Sequence, residues 1–79
     1  MTDAPRILII EDDPAIRRVL KISLQAASYQ VVEASTAAQG LAAIGHDAPH
    51  VLLLDLGLPD MDGLDVIRHL REWSQVPII

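Results

Sequence analysis

The amino-acid sequence predicts an α/β fold built on a doubly wound parallel sheet. Short aliphatic runs alternate with longer amphipathic segments along its 79 residues, which is the pattern of strands joined by helical crossovers. The aliphatic runs are apolar at nearly every position, as parallel strands that are covered on both faces require. Because such crossovers are right-handed, helices should lie on both sides of the sheet.

The run RILII, Arg6 to Ile10, predicts the first strand. The segment that follows it, DPAIRRVLKISLQAA, predicts the first helix. Asp13 and Pro14 provide an N-cap and a favoured first helical residue. Apolar residues at helical spacing predict the side of this helix that faces the core: Ile16, Val19, Leu20 and Leu24. Its solvated side should hold the basic residues Arg17, Arg18 and Lys21, where the two arginines could meet an acidic partner.

The second strand is predicted at YQVVEA, Tyr29 to Ala34, and the second helix starts at a capping-box pattern of Thr36 with Gln39. The third strand, PHVLLLD, ends at Asp55. The third helix has Asp62 as its N-cap, and its expected inward residues are Val66, Ile67, Leu70 and Trp73. VPII, at the end of the sequence, opens a fourth strand. We expect strands one and three at the centre of the sheet, strand two at one edge and strand four at the other.

Composition and charge exclude several classes of function. The net charge of −5 disfavours binding of a phosphate backbone by this segment itself. No apolar run approaches the roughly 20 residues of a membrane helix, and the start lacks the basic region of a signal peptide. The absence of cysteine excludes disulfides and thiol chemistry. These features predict a cytoplasmic protein.

Acidic residues follow two of the predicted strands. Glu11 and Asp12 come directly after strand one, and Asp55 ends strand three. If those strands are neighbours, the three carboxylates meet at one edge of the sheet, and they repel one another unless a proton or a cation joins them. Magnesium suits such a site because it binds one or two carboxylates and keeps several waters. Taken alone, EDDP is more often only a helix cap.

Together, IIEDDPAIRR and LLLDLGLPDMDG resemble the receiver domain of bacterial two-component response regulators, a CheY-like, flavodoxin-like fold with strand order 2-1-3-4-(5). The resemblance implies that Asp55 accepts a phosphoryl group from a sensor histidine kinase. It implies Mg²⁺ held by Asp12, Asp55 and the backbone carbonyl of Gly57, with Glu11 acting through water. Asp13 is then the helix cap, and Asp60 is expected to be a solvated surface charge.

The segment LDLGLPDMDGLDVIRHLREWSQVPII is similar to KdpE-type regulators of the OmpR/PhoB winged-helix group. That similarity implies a transcription factor that controls a potassium-transport operon and binds DNA through a domain beyond this sequence. Residues 1–79 would then be the N-terminal part of the receiver domain. The family's later Ser or Thr, aromatic residue and Lys would lie beyond Ile79. An unprotected fourth strand predicts self-association as a dimer.

Two other functions are compatible with parts of the pattern. A receiver-like interaction module without phosphorylation would use the fold alone, although the intact acidic set argues against it. A phosphatase of the haloacid dehalogenase type would also use a nucleophilic Asp and Mg²⁺, but it has an acid where this sequence has Gly57. We therefore expect a switch and not an enzyme. His46, His50 and His69 show no metal-ligand spacing and are expected to be structural.

Overall fold

The structure is a computed structural model and describes residues 4–79. Strands and helices alternate along the chain as the sequence predicts. Their bounds are β1 (Arg6–Ile10), α1 (Pro14–Ala26), β2 (Gln30–Ala34), α2 (Ala37–Asp47), β3 (Val51–Leu54) and α3 (Gly63–Arg71). Within these described residues, every helix is too short or too polar to cross a membrane.

The sheet is parallel and has β1 at its centre, between β2 and β3. A segment near the end of the chain lies beside β3, where Ile78 forms a parallel bridge with Leu52. The Leu52 amide donates to the carbonyl of Pro77 at 2.9 Å, and the Ile79 amide donates to the carbonyl of Leu52 at 2.9 Å. The predicted order 2-1-3 is therefore confirmed, and the predicted fourth strand is present as an isolated bridge on the expected side of β3.

The main core lies between the sheet and the pair α2 and α3. Because side chains alternate along a strand, Leu8 and Ile10 of β1 point to this face and Ile7 and Ile9 to the other. The buried members of this core are Leu8, Ile10, Ala34, Ala37, Ile44, Leu52, Leu58, Val66 and Leu70. Helix α2 packs closely on β1, since a Cβ at Gly40 would lie 2.7 Å from Cγ1 of Ile10.

Helix α1 is less buried than its apolar pattern predicts. Ile16 and Val19 are 49% and 63% exposed, whereas Leu20 and Leu24 are half-buried. The helix packs on β1 and β2, which leaves an open groove beside β3 that Ile16 and Leu20 line together with Leu53. The expectation that the apolar side of α1 faces the core was therefore wrong for Ile16 and Val19.

Helix α3 buries two of its four expected inward residues. Val66 and Leu70 are fully buried, and Ile67 is half-buried. Trp73 is 51% exposed, and the expectation that it faces inward was wrong. The helix ends at Arg71, so Trp73 lies in the following turn, where its amide donates to the Leu70 carbonyl.

Candidate functional site

The residues after β1 divide into a helix cap and a pair of free carboxylates. Oδ1 of Asp13 accepts hydrogen bonds from the amides of Ala15 at 2.8 Å and Ile16 at 3.4 Å, so Asp13 is the N-cap of α1 as predicted. Glu11 and Asp12 remain at the tip of the strand, where Glu11 is only 8% exposed and Asp12 faces solvent. The pair therefore offers one buried and one accessible carboxylate.

The structure brings Glu11, Asp12 and Asp55 together. One carboxylate oxygen from each lies within 4.8 Å of the other two. Strand register produces this proximity, since the Asp55 amide donates to the carbonyl of Ile10 at 3.0 Å and places the end of β3 beside the end of β1. The Glu11 amide is held in turn by the carbonyl of Ala34 at 3.1 Å. The predicted meeting of the three side chains follows from the sheet.

The pKa values of Glu11 and Asp55 are shifted in opposite directions. Burial raises the pKa of Glu11 from 4.5 to about 7, assisted by a hydrogen bond to Asp55 and by the negative charges of Asp55, Asp12 and Asp13. The pKa of Asp55 is lowered, first by the hydrogen bond from the Gly57 amide and then by the one from Glu11. Below neutral pH, a protonated Glu11 therefore donates to an ionised Asp55.

The same arrangement fits a divalent cation. Three carboxylates provide hard oxygen donors, and one of them, Asp12, is open to solvent. Magnesium prefers such donors and retains water at its remaining positions. Burial and the negative charges around Glu11 raise its pKa, and a bound cation would offset those charges.

Gly57 contacts Asp55 through its backbone amide, which donates to Oδ1 at 3.0 Å. A Cβ at Gly57 would meet only this oxygen, at an ordinary 3.7 Å, so local packing does not require glycine there. Glycine is required at Gly63, where a Cβ would lie 2.5 Å from Cα of Leu56. The role of the Gly57 carbonyl as a metal ligand stays a prediction.

Asp60 differs from its expected role as a solvated charge. Its side chain is exposed, but Oδ1 accepts from the Ala37 amide at 2.8 Å and Oδ2 from the Ala38 amide at 3.0 Å. These bonds cap α2 from outside that helix and lower the pKa of Asp60. No local sequence pattern predicts this contact, because Asp60 and Ala37 meet only in the folded chain.

Arg17 was expected on the solvated side of α1, and that expectation was wrong. Its Nη1 donates to the Glu11 carbonyl at 2.8 Å, and its Nε lies 3.5 Å from Oε1 of Glu33. Lys21 also contacts Glu33, at 3.3 Å. Glu33 is on the outer strand β2, and it attracts these cations to the sheet side of the helix. Arg18 is exposed as predicted.

Thr36 and His50 occupy structural positions, whereas His46 and His69 are exposed. Oγ1 of Thr36 accepts from the Gln39 amide at 3.1 Å, whereas the Gln39 side chain accepts from Ser35 and not from Thr36. Nδ1 of His50 accepts from the Arg6 amide at 2.9 Å. The potential metal-ligand cluster found among residues 4–79 contains no histidine.

A comparison with protein families matches residues 7–79 to the response regulator receiver domain. The chain is 49% identical over 73 residues to the transcriptional regulatory protein KdpE of Mycobacterium tuberculosis and 48% identical over 73 residues to the KDP operon regulatory protein KdpE of Escherichia coli. These matches cover 92% of this chain and 32% of either relative, so the chain spans about a third of their length.

Solved receiver structures share the fold. Chemotaxis response regulator CheY4 of Vibrio cholerae superposes with a TM-score of 0.92 at 26% identity, over 96% of this chain and 66% of that one. The BeF3-activated receiver domain of Klebsiella pneumoniae RstA gives 0.88 at 32% identity, over 92% and 62%. The matched family, the identity to KdpE proteins and the shared fold agree: the chain belongs to the response regulator receiver domains.

Proposed function

We propose that Asp55 accepts a phosphoryl group from a sensor histidine kinase, with Mg²⁺ held by Asp12, Asp55 and the Gly57 carbonyl and with Glu11 acting through water. The proposal rests on the meeting of Glu11, Asp12 and Asp55 within 4.8 Å at the carboxyl ends of adjacent strands. It is supported by the family match over residues 7–79. The BeF3-activated state named for the RstA receiver supports the same class of function.

The chain's own residues prepare Asp55 for this role. The Asp55 carboxylate is ionised at neutral pH, as attack on phosphorus requires, and the hydrogen bond from Gly57 lowers its pKa further and orients it. One carboxylate oxygen forms the bond to phosphorus, and the phosphorus–nitrogen bond of the phosphohistidine breaks. The electron pair returns to the imidazole of the kinase. The other Asp55 oxygen and the Asp12 carboxylate remain available as metal donors.

A bound magnesium ion would neutralise charge on the incoming phosphoryl group. The pKa of Glu11 is raised without metal, and the positive charge of the ion would lower it and favour the ionised carboxylate, which accepts a hydrogen bond from water on that ion. Asp13 takes no part, because its oxygen is engaged at the start of α1. Of these three consecutive acidic residues, Glu11 and Asp12 therefore belong to the proposed metal site and Asp13 is the helix cap.

For the whole protein we propose transcriptional control of an operon, in line with the KdpE relatives, one of which is named for the KDP operon; potassium transport is the process that the resemblance to KdpE-type regulators implies. Phosphorylation adds a charge of about −1.5 to −2 near the end of β3. That charge would bias the arrangement of the receiver and, through it, of a DNA-binding domain. DNA contact is assigned to that further domain, because the receiver segment is acidic.

The direct test is intact-mass spectrometry after incubation with acetyl phosphate and Mg²⁺. We expect one added phosphoryl group on the native chain and none on Asp55→Asn. Asp65→Asn is a matched control, because it removes the charge of an exposed aspartate that pairs with Arg68 in α3. We expect it to be modified like the native chain.

The same experiment on the full-length protein distinguishes a wrong choice of Asp55 as the acceptor from a need for residues beyond this segment. If residues 1–79 alone stay unmodified while the full-length protein is modified and its Asp55→Asn variant is not, residues beyond this segment are needed for phosphoryl transfer. If Asp55→Asn in the full-length protein is modified as the native form is, Asp55 is not the acceptor. A Mg²⁺ titration followed by nuclear magnetic resonance tests the metal site separately.

A further inference from the structure

The loop between β3 and α3 contains the proposed phosphoacceptor, Asp55, and three contacts stabilise it. At its start, the Gly57 amide donates to Asp55. At its end, the Gly63 amide donates to the Leu56 carbonyl at 3.1 Å, which closes the loop on itself. In between, the side chain of Leu58 is buried in the core. These contacts hold the loop to its own strand and to the core.

Asp60 makes a fourth attachment, and this one reaches a different element. Its two carboxylate oxygens accept from consecutive amides at the start of α2, at 2.8 and 3.0 Å. Hydrogen bonds from backbone amides to an ionised carboxylate are stronger than neutral ones. The first turn of α2 also attracts negative charge through the helix dipole. The loop is therefore attached to α2 by a bidentate, charge-assisted contact.

Helix α2 packs against β1, the strand that directly precedes Glu11 and Asp12. Gly40 approaches Ile10 so closely that no side chain would fit between them. Ile10 immediately precedes Glu11 and accepts a hydrogen bond from the Asp55 amide. A displacement of α2 would thus be transmitted to the end of β1. Asp60 completes a continuous path from the loop through α2 to Glu11 and Asp12.

We propose that Asp60 is a positioning residue of the metal and phosphoacceptor site. By binding the start of α2, it fixes Asp55 and Gly57 relative to Glu11 and Asp12. The inference rests on the proposed function for its effect on Mg²⁺, but its effect on the loop does not depend on metal. Residues that orient metal ligands from outside the ligand set commonly change metal affinity by about 10- to 100-fold when they are altered.

The test compares Asp60→Ala with Thr36→Ala. Both substitutions remove a cap from the same helix, since Thr36 accepts from the Gln39 amide, but only Asp60 connects that helix to the loop. We expect Mg²⁺ affinity to fall about tenfold in Asp60→Ala and to change less than about twofold in Thr36→Ala. Asp60→Asn, which keeps an acceptor oxygen, should recover part of the affinity.

A second readout uses amide hydrogen exchange at Gly57 without any metal. We expect faster exchange in Asp60→Ala than in the native chain or Thr36→Ala, because the loop loses its attachment. Equal effects of the two variants in both measurements, or native behaviour of Asp60→Ala, would overturn the proposal. If the native chain binds no Mg²⁺, the proposed function fails while the exchange comparison still decides the role of Asp60. If Asp60→Ala does not fold, Asp60→Asn and Asp60→Ser provide the comparison.

Discussion

Arg17 holds the backbone of Glu11: its guanidinium donates to the Glu11 carbonyl at 2.8 Å. The amide of the same residue is bound by Ala34, so the peptide groups on both sides of the Glu11 Cα are fixed. The Glu33 carboxylate orients Arg17 from β2. The position from which the acidic pair projects is therefore set jointly by α1 and the outer strand.

We expect Arg17→Met to lower the free energy of unfolding by about 1–2 kcal/mol, because a charge-assisted hydrogen bond is lost. The ion pair with Glu33 adds little, since both side chains are partly exposed. Arg18→Met is the matched control on the same helix and should stay within about 0.5 kcal/mol of native. Urea unfolding measures both, and similar losses in the two variants would contradict the assigned role of Arg17.

Two glycines of α2 should respond in opposite directions to alanine. Gly40→Ala places a methyl group against Ile10 and should destabilise the protein by about 1–3 kcal/mol through overpacking. Gly45→Ala meets no atom within 4 Å and should stabilise it by about 0.5–1 kcal/mol through helix propensity. Thermal unfolding distinguishes them. Ile10→Val should relieve part of the Gly40→Ala loss, and full additivity of the two changes would argue against a direct clash.

Local sequence signals predicted the parts of the fold that are decided by neighbouring residues. Asp13 and Asp62 were found as caps because each side chain binds amides two residues along the chain. The acidic cluster was predictable because parallel strands bring their carboxyl ends together.

Contacts between distant segments could not be predicted in this way. Asp60 binds amides 23 and 22 residues earlier in the sequence, and Gly40 matters because of Ile10. The helical period of α1 identified its apolar stripe but not how far the sheet extends beneath it. Ile16 therefore fitted the core pattern while remaining half exposed.

Metal-free stability should fall as pH rises from about 4.5 to about 7. The pKa of Glu11 is raised in the folded state, so the folded protein holds this proton more tightly than the unfolded chain and loses that advantage as the proton leaves. The lowered pKa of Asp55 acts in the opposite sense, but only below its ordinary value of 3.8. Urea unfolding at several pH values measures the trend.

Glu11→Gln is the control for this titration, because it keeps a neutral side chain of similar size. The free energy of unfolding of the native protein, relative to that of Glu11→Gln, should fall as pH rises from about 4.5 to about 7. Mg²⁺ should restore stability to the native chain on the alkaline side, since a ligand that binds only the folded state stabilises it. A difference that is independent of pH would show that Glu11 carries no shifted proton.

Besides the unprotected fourth strand, we expect the exposed apolar side of α1 to contribute to self-association. Ile16 and Val19 are exposed there, and with Ala15 and Leu20 they line a continuous apolar surface. Removing a buried valine side chain from a contact costs about 1.5–3 kcal/mol, so Val19→Lys should weaken association at least about tenfold. Leu64→Lys adds the same charge at an exposed residue of α3 and should leave association near native. Sedimentation equilibrium gives the constants, and equal weakening by both variants would place the contact elsewhere.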